Sequence, residues 1–121
     1  MSEQIINDPN ALDQYIDLMG DDGGEFIIDI IDTFLENAPD NFSLLDQGLT
    51  TNNPVIFRRA AHTLKTGCST VGATELAKNF LKLEEAGEAG SLTSIRDLLE
   101  HCKSDYQLLK TELEKKKSAW Q

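Results

Sequence analysis

Apolar residues recur at spacings of three and four through almost the whole chain, and this feature constrains the fold most. The longest such series lies near the C-terminus and consists of Leu92, Ile95, Leu99, Cys102, Tyr106, Leu109 and Leu113. This spacing returns a side chain to the same face of an α-helix at every turn. There is no sustained alternation of apolar and polar residues and no hairpin dipeptide between apolar runs. The pattern therefore predicts an all-α protein.

The three prolines mark predicted helix starts. Proline is favoured at the first position of a helix, and it disfavours helical backbone in the residue before it. Pro9 therefore opens a first helix. Pro39 is expected to end one helix near Ala38 and to open another. Pro54 follows Asn53, which is expected to cap the helix that Pro54 opens.

Glycine and serine mark the remaining boundaries. The GDDGG segment at 20–24 separates the first two helices. Gly72 lies at or just beyond the end of the helix that Pro54 opens, and Gly87 or Gly90 closes the following one. Ser91 is expected to cap the last helix. These boundaries predict an antiparallel up-and-down four-helix bundle with one or two additional N-terminal helices.

The 121 residues have the length of a single domain. We expect one helical domain over 1–121, with frayed ends at 1–8 and 115–121. No apolar run is long enough to cross a membrane, and no signal peptide is recognisable. Cys68 and Cys102 lie at apolar helix positions without metal-ligand spacing, which predicts reduced core thiols in a cytoplasmic protein. We expect neither a metal nor a cofactor.

The net charge of −10 argues against nucleic acid and anionic membranes as partners, because both select basic surfaces. It also makes a local group of cations informative. Arg58, Arg59 and Lys65 form such a group in one predicted helix.

His62 lies in the same helix, and helical periodicity predicts which way it faces. At 3.6 residues per turn one side of the helix collects the apolar series Phe57, Ala60, Ala61, Leu64, Cys68 and Val71. His62 falls away from that side, which disfavours a core histidine. Its neighbours at helical spacing are Arg58, Lys65, Thr66 and Ser69. An ordinary exposed histidine is the alternative, but the surrounding cations favour a histidine displayed toward a partner.

An exposed neutral imidazole is a nucleophile, and Lys65 one turn away can balance the charge of a phosphoryl group. No Gly-rich phosphate loop, Ser-His-Asp arrangement or acidic cluster accompanies His62. The other parts of an enzyme are therefore missing, and a lone nucleophile on a helix needs a partner to supply the remaining groups.

The stretch AAHTLKTGCSTVGATEL at 60–76, followed by KLEEAGEAG at 82–90, resembles the histidine-containing phosphotransfer (HPt) domain. That family shows A-H-x-L-K-G-S-S-x-x-x-G-A, with L-E-x-x-x-x-x-G downstream. The matching residues are Ala61, His62, Leu64, Lys65, Gly72, Ala73, Leu76, Leu83, Glu84 and Gly90. FLENAP at 34–39 also resembles the family's second helix, and the resemblance covers about 9 to 113.

The resemblance implies a four-helix bundle whose exposed histidine accepts a phosphoryl group from the aspartate of a receiver domain, or from a kinase, and passes it to another receiver. It implies that His62 is the phosphoacceptor and Lys65 the stabilising cation, while the receiver supplies Mg²⁺ and the acidic groups. The expected partners are a response-regulator receiver domain and a sensor or hybrid histidine kinase. We expect a monomer.

The chain departs from the family pattern directly after the lysine, where Thr66 replaces glycine and Gly67 comes one residue later. Thr66 is either tolerated, with Gly67 supplying space, or it narrows the approach of a receiver or hydrogen-bonds its phosphoryl oxygens. The predicted docking face consists of Arg58, Arg59, Thr66, Gly67 and Ser69. One alternative function is a helical docking module for a receiver or kinase that is not phosphorylated; a hydrolase using His62 is a weaker one.

Overall fold

The structure is a computed structural model and describes residues 4–119. Over this range the chain forms helices joined by short connections, and no strand occurs within it. The α-helices are α1 (Asn10–Met19), α2 (Gly23–Thr50), α3 (Pro54–Thr70), α4 (Thr74–Ala89) and α5 (Arg96–Ser118). A single 3₁₀ turn, Gly20–Asp22, joins α1 to α2.

The four long helices α2 to α5 enclose one hydrophobic core, as the apolar spacings predict. α3 packs against both α2 and α4, α5 packs against α4 and α2, and α1 lies against α2 and α3. The seven residues of the C-terminal series are all buried. Phe57 and Phe80 are the largest fully buried side chains. The predicted four-helix bundle with an additional N-terminal helix is confirmed.

The predicted helix break at Pro39 is wrong, because α2 runs through it without interruption. A proline inside a helix removes one backbone hydrogen bond and costs about 3 kcal/mol. Pro39 is exposed, so water can hydrogen-bond the carbonyl that loses its partner. Phe34, Ala38 and Leu45 are buried along the same helix. Burial of this continuous apolar face outweighs the local preference of proline, since tertiary packing supplies most helix stability.

Ser91 does not cap the last helix. α5 begins at Arg96, directly after Ile95. Leu92 and Ile95 are nevertheless buried, so the apolar series continues into the connection from α4. The sequence pattern identified the buried residues correctly. It extended the helix too far because Leu92 and Ile95 are spaced like residues one helical turn apart, although they lie in a connection that is not helical.

Two other predicted helix ends are confirmed. The Asn53 side chain accepts a hydrogen bond from the Ile56 backbone N–H at 3.3 Å, and Pro54 is the first residue of α3. Gly90 ends α4 with a φ of 71°, in the left-handed region that favours glycine.

The segment before α1 lies against the bundle. The backbone N–H groups of Ile5 and Ile6 donate to the Glu112 carboxylate at 2.7 and 2.9 Å. The next two backbone N–H groups, of residues 7 and 8, donate to the Gly72 carbonyl, each at 3.0 Å. Gly72 has a φ of 88°, and a side chain at this position would collide with the backbone of the segment.

At the other end, α5 is tied to the N-terminal half of the chain. Lys116 pairs with Asp13 and Lys117 pairs with Asp32, each with a nitrogen–oxygen distance of 2.6 Å. The rest of the ends that we expected to fray, 1–3 and 120–121, lie outside the described residues. Among residues 4–119, no helix is long and apolar enough to cross a membrane.

The prediction of core thiols is confirmed for both cysteines. Cys68 and Cys102 are free and buried. Burial raises the pKa of both thiols, that of Cys102 to about 12. Neither sulfur is therefore ionised near neutral pH.

Candidate functional site

α3 and α4 approach each other closely where Gly87 faces Arg58. A Cβ atom at Gly87 would lie 2.9 Å from the Arg58 Cβ and 3.0 Å from its Cα, so a side chain there would force the helices apart. One turn along each helix from this contact lie His62 on α3 and Glu84 on α4. The close approach therefore brings a histidine and a carboxylate of different helices within reach of each other.

The His62 side chain is 56% exposed, as the helical periodicity predicts, and one of its ring nitrogens contacts the buried Glu84 side chain. Its Nδ1 atom lies 3.1 Å from Oε2 of Glu84, whose side chain is only 10% exposed. An ionised carboxylate accepts hydrogen bonds and cannot donate them, so we assign the imidazole proton to Nδ1. The lone pair is then on Nε2, the ring nitrogen that Glu84 does not contact.

Lys65 completes a three-residue group with His62 and Glu84. Its Nζ lies 2.8 Å from Oε1 of Glu84 in an ion pair, and its side chain is 26% exposed. Burial alone would raise the pKa of the Glu84 carboxyl, but Lys65 and His62 together lower it below its ordinary value of 4.5. The carboxylate is therefore ionised at neutral pH, as the tautomer assignment requires.

Glu84 is the site residue that sequence reasoning missed. The sequence places it on the buried face of its helix and within the family pattern, but assigns it no role. One feature of the sequence could have revealed its role: Glu84 is a carboxylate that shares a helix face with the apolar series Leu76, Ala77, Phe80 and Leu83. A buried carboxylate needs partners of opposite charge or hydrogen-bond donors. Which partners it has depends on the contact between α3 and α4, which the sequence does not give.

Most of the predicted docking face lies together on the His62 side of α3. Arg59, Thr66 and Ser69 are exposed there. Arg58 is half-buried, because its backbone packs against Gly87. Neither arginine forms an ion pair with any residue from 4 to 119, although each lies in a strongly acidic chain.

Gly67 lies elsewhere on the helix, on the side that faces α2. A Cβ atom at this position would lie 2.5 Å from Cδ1 and 2.6 Å from Cε1 of Phe34. The space that we expected Gly67 to leave for a partner is therefore filled by the Phe34 ring. The glycine lets α3 and α2 pack closely.

A groove between α2 and α3 lies beside the His62 face. Its cavity volume is about 430 Å³, and its lining is largely apolar, with Ile30, Phe34 and Leu64 among the residues. Thr63 and Gly67 line the groove from α3, the helix that carries His62. Apolar concave surface next to an exposed nucleophile is suited to the docking of another protein. No cluster of three or more potential metal ligands occurs over 4–119.

Comparisons with known proteins agree with this geometry. A protein-family model described as Hpt domain matches residues 29–118. The crystal structure of histidine-containing phosphotransfer protein B (HptB) from Pseudomonas aeruginosa PAO1 superposes with a TM-score of 0.81. The match covers 94% of this chain and 96% of that one at 23% sequence identity, and it shows a shared fold. No curated protein matches the sequence at a significant level.

Proposed function

We propose that this chain, which belongs to the Hpt-domain family, carries a phosphoryl group on His62 in a two-component phosphorelay. The phosphoryl group comes from the aspartate of a response-regulator receiver domain, or from a sensor or hybrid histidine kinase, and passes to another receiver. The observation that supports this most is the contact between His62 Nδ1 and the Glu84 carboxylate. It leaves an exposed imidazole whose nucleophilic nitrogen, Nε2, is the one that Glu84 does not contact.

The geometry supports a transfer step in which no proton has to move. The Nε2 lone pair attacks the phosphorus of a receiver's aspartyl phosphate, and a bond forms between nitrogen and phosphorus. The bond from phosphorus to the aspartate oxygen breaks, and the carboxylate leaves with the electron pair. The phosphorylated ring keeps its Nδ1 proton and gains a positive charge, which the ionised Glu84 stabilises through the hydrogen bond at 3.1 Å. Transfer to the next receiver reverses these bond changes.

Lys65 acts in two ways in this proposal. Its ion pair keeps Glu84 ionised, so that Glu84 can hold the Nδ1 proton in place. It also lies one turn from His62 with a quarter of its side chain exposed, so its positive charge attracts the oxygens of a phosphoryl group on the ring.

The surface around His62 suits a receiver domain as the partner. The site of a receiver that holds the phosphoryl group is rich in carboxylates and supplies Mg²⁺. Arg58 and Arg59 add positive charge beside His62, which complements such a site. The apolar groove between α2 and α3 adds the surface that excludes water at the centre of an interface. We propose that this protein acts in the cytoplasm, where receivers and kinase domains act. We also propose that it is a monomer.

Phosphoryl transfer from an active kinase or a phosphorylated receiver tests the proposal. The chain offers a matched control, because its two histidines are both exposed and both lie near a carboxylate: His101 is 3.2 Å from Asp105. We expect acid-labile, alkali-stable labelling of wild type and of His101→Gln, and none of His62→Gln. Equal labelling of wild type and His62→Gln would contradict the assignment. Binding of a receiver without labelling of any variant would instead support a docking module that is not phosphorylated.

A further inference from the structure

Helix α3 carries three threonines, and their hydroxyl groups differ. The Thr63 hydroxyl donates to the Arg59 carbonyl at 3.1 Å, and the Thr70 hydroxyl donates to the Thr66 carbonyl at 2.9 Å. Both are the usual bond of a helical threonine to the carbonyl four residues earlier. The corresponding acceptor for Thr66 is the His62 carbonyl, and that bond is not formed. Within the described range 4–119 the Thr66 hydroxyl has no hydrogen-bond partner.

Thr66 is placed to reach a group carried by His62. It is exposed and lies one turn C-terminal to His62 on the same side of α3. Helical side chains lean toward the N-terminus of their helix, so the Thr66 side chain leans over the turn that bears His62. Lys65 and Glu84 occupy the side of His62 that faces α4. Thr66 lies on the opposite side of His62 from this ion pair.

We propose that the Thr66 hydroxyl donates a hydrogen bond to an oxygen of the phosphoryl group on His62. This inference rests on the proposed function. A phosphoryl group presents three strong acceptor oxygens, and Lys65 is already paired with Glu84 at 2.8 Å. The Thr66 hydroxyl supplies a donor for the oxygens that His62 carries only when it is phosphorylated. Thr66 is therefore a phosphoryl-binding residue that stabilises the loaded carrier.

Phosphoramidate tests this without a partner protein. In this reaction the nitrogen–phosphorus bond of phosphoramidate breaks, a bond forms from phosphorus to His62 Nε2, and ammonia leaves. At fixed phosphoramidate and ammonia concentrations, ³¹P NMR gives the equilibrium ratio of phosphorylated to free protein. We expect Thr66→Val to lower this ratio about fivefold or more, since hydrogen bonds to charged groups are among the stronger ones. Thr66→Ser keeps the hydroxyl and should stay within about twofold of wild type.

A matched control lies in the same helix. Thr70→Val removes a hydroxyl that is bonded to a backbone carbonyl, so it should leave the ratio unchanged. A second readout is the titration midpoint of the phosphoryl group, followed by its ³¹P shift. It should rise in Thr66→Val, because a donor to the phosphoryl oxygens favours their more highly charged form.

The outcomes separate this inference from the function on which it rests. If wild type takes up no phosphoryl group on His62, both are overturned. If His62 is phosphorylated and Thr66→Val matches wild type in ratio and midpoint, the role of Thr66 alone is overturned. The same holds if Thr66→Ser loses as much as Thr66→Val, because a variant that keeps the hydroxyl would then behave like one that lacks it.

Discussion

Replacing Lys65 with methionine removes the charge beside Glu84 and keeps most of the apolar stem. Two unit charges 2.8 Å apart attract each other by about 6 kcal/mol at an effective dielectric constant of about 20. Desolvation of a carboxylate that is only 10% exposed, and the ordering of the lysine side chain, offset most of this attraction. His62 remains as a second partner of Glu84. We therefore expect Lys65→Met to lower the free energy of unfolding by about 1–2 kcal/mol at pH 7.

A double-mutant cycle measures the ion pair itself. Urea denaturation of wild type, Lys65→Met, Glu84→Gln and the double variant gives a coupling energy, which we expect to be about 1–2 kcal/mol. Glu84→Gln suits the cycle because the amide has the shape of the carboxylate without its charge. Lys78 and Glu75 form a control pair, with nitrogen and oxygen 3.2 Å apart and side chains 68% and 67% exposed. Their coupling should be below about 0.5 kcal/mol.

Acid provides an independent check of the same pair. The pKa of Glu84 in the folded protein lies below its ordinary value of 4.5, so the unfolded chain protonates this residue more readily. The stabilisation by ionised Glu84 is present above about pH 4.5 and is lost as the pH falls through the folded pKa. The stability difference between wild type and Glu84→Gln should therefore shrink in acid. A difference that does not change with pH, or a coupling below about 0.5 kcal/mol at pH 7, would refute this reasoning.

Two further predictions concern packing. Gly67→Ala should lower the free energy of unfolding by about 1–3 kcal/mol in urea denaturation, because the new methyl group would lie 2.5 Å from the Phe34 ring; an unchanged stability would mean that the ring moves aside freely. The thiols of Cys68 and Cys102 are buried with raised pKa values, so they should react with Ellman's reagent at least about ten times more slowly in the native protein than in urea. Similar rates in both states would contradict their burial.

Helical periodicity predicted the features that depend on one helix at a time. In α3, the helical period separated the buried apolar residues from the exposed His62. This succeeds because the direction of a side chain follows from sequence spacing once a helix is established. Capping chemistry likewise predicted Asn53, because a cap acts on N–H groups only a few residues away.

The errors arose where contacts between helices decide the outcome. Pro39 was expected to end a helix, but burial of the residues around it keeps α2 continuous. Gly67 was expected to leave space for a partner, but the Phe34 ring of another helix fills that space. The role of Glu84 depends on its contact with His62, 22 positions away in sequence. Helical periodicity gives the direction in which each of these side chains points, but it does not give the residues of other helices that they contact.

The identity of the phosphorylated atom tests the central claim most directly. Phosphorylating ¹⁵N-labelled protein and assigning the nitrogen–phosphorus bond by NMR distinguishes Nε2 from Nδ1 and His62 from His101. The hydrogen bond between His62 Nδ1 and Glu84 predicts a single phosphoryl group, on Nε2 of His62, in wild type and in His101→Gln. A phosphoryl group on Nδ1, on His101, or on no histidine would contradict the proposal that Glu84 holds His62 as the phosphoacceptor.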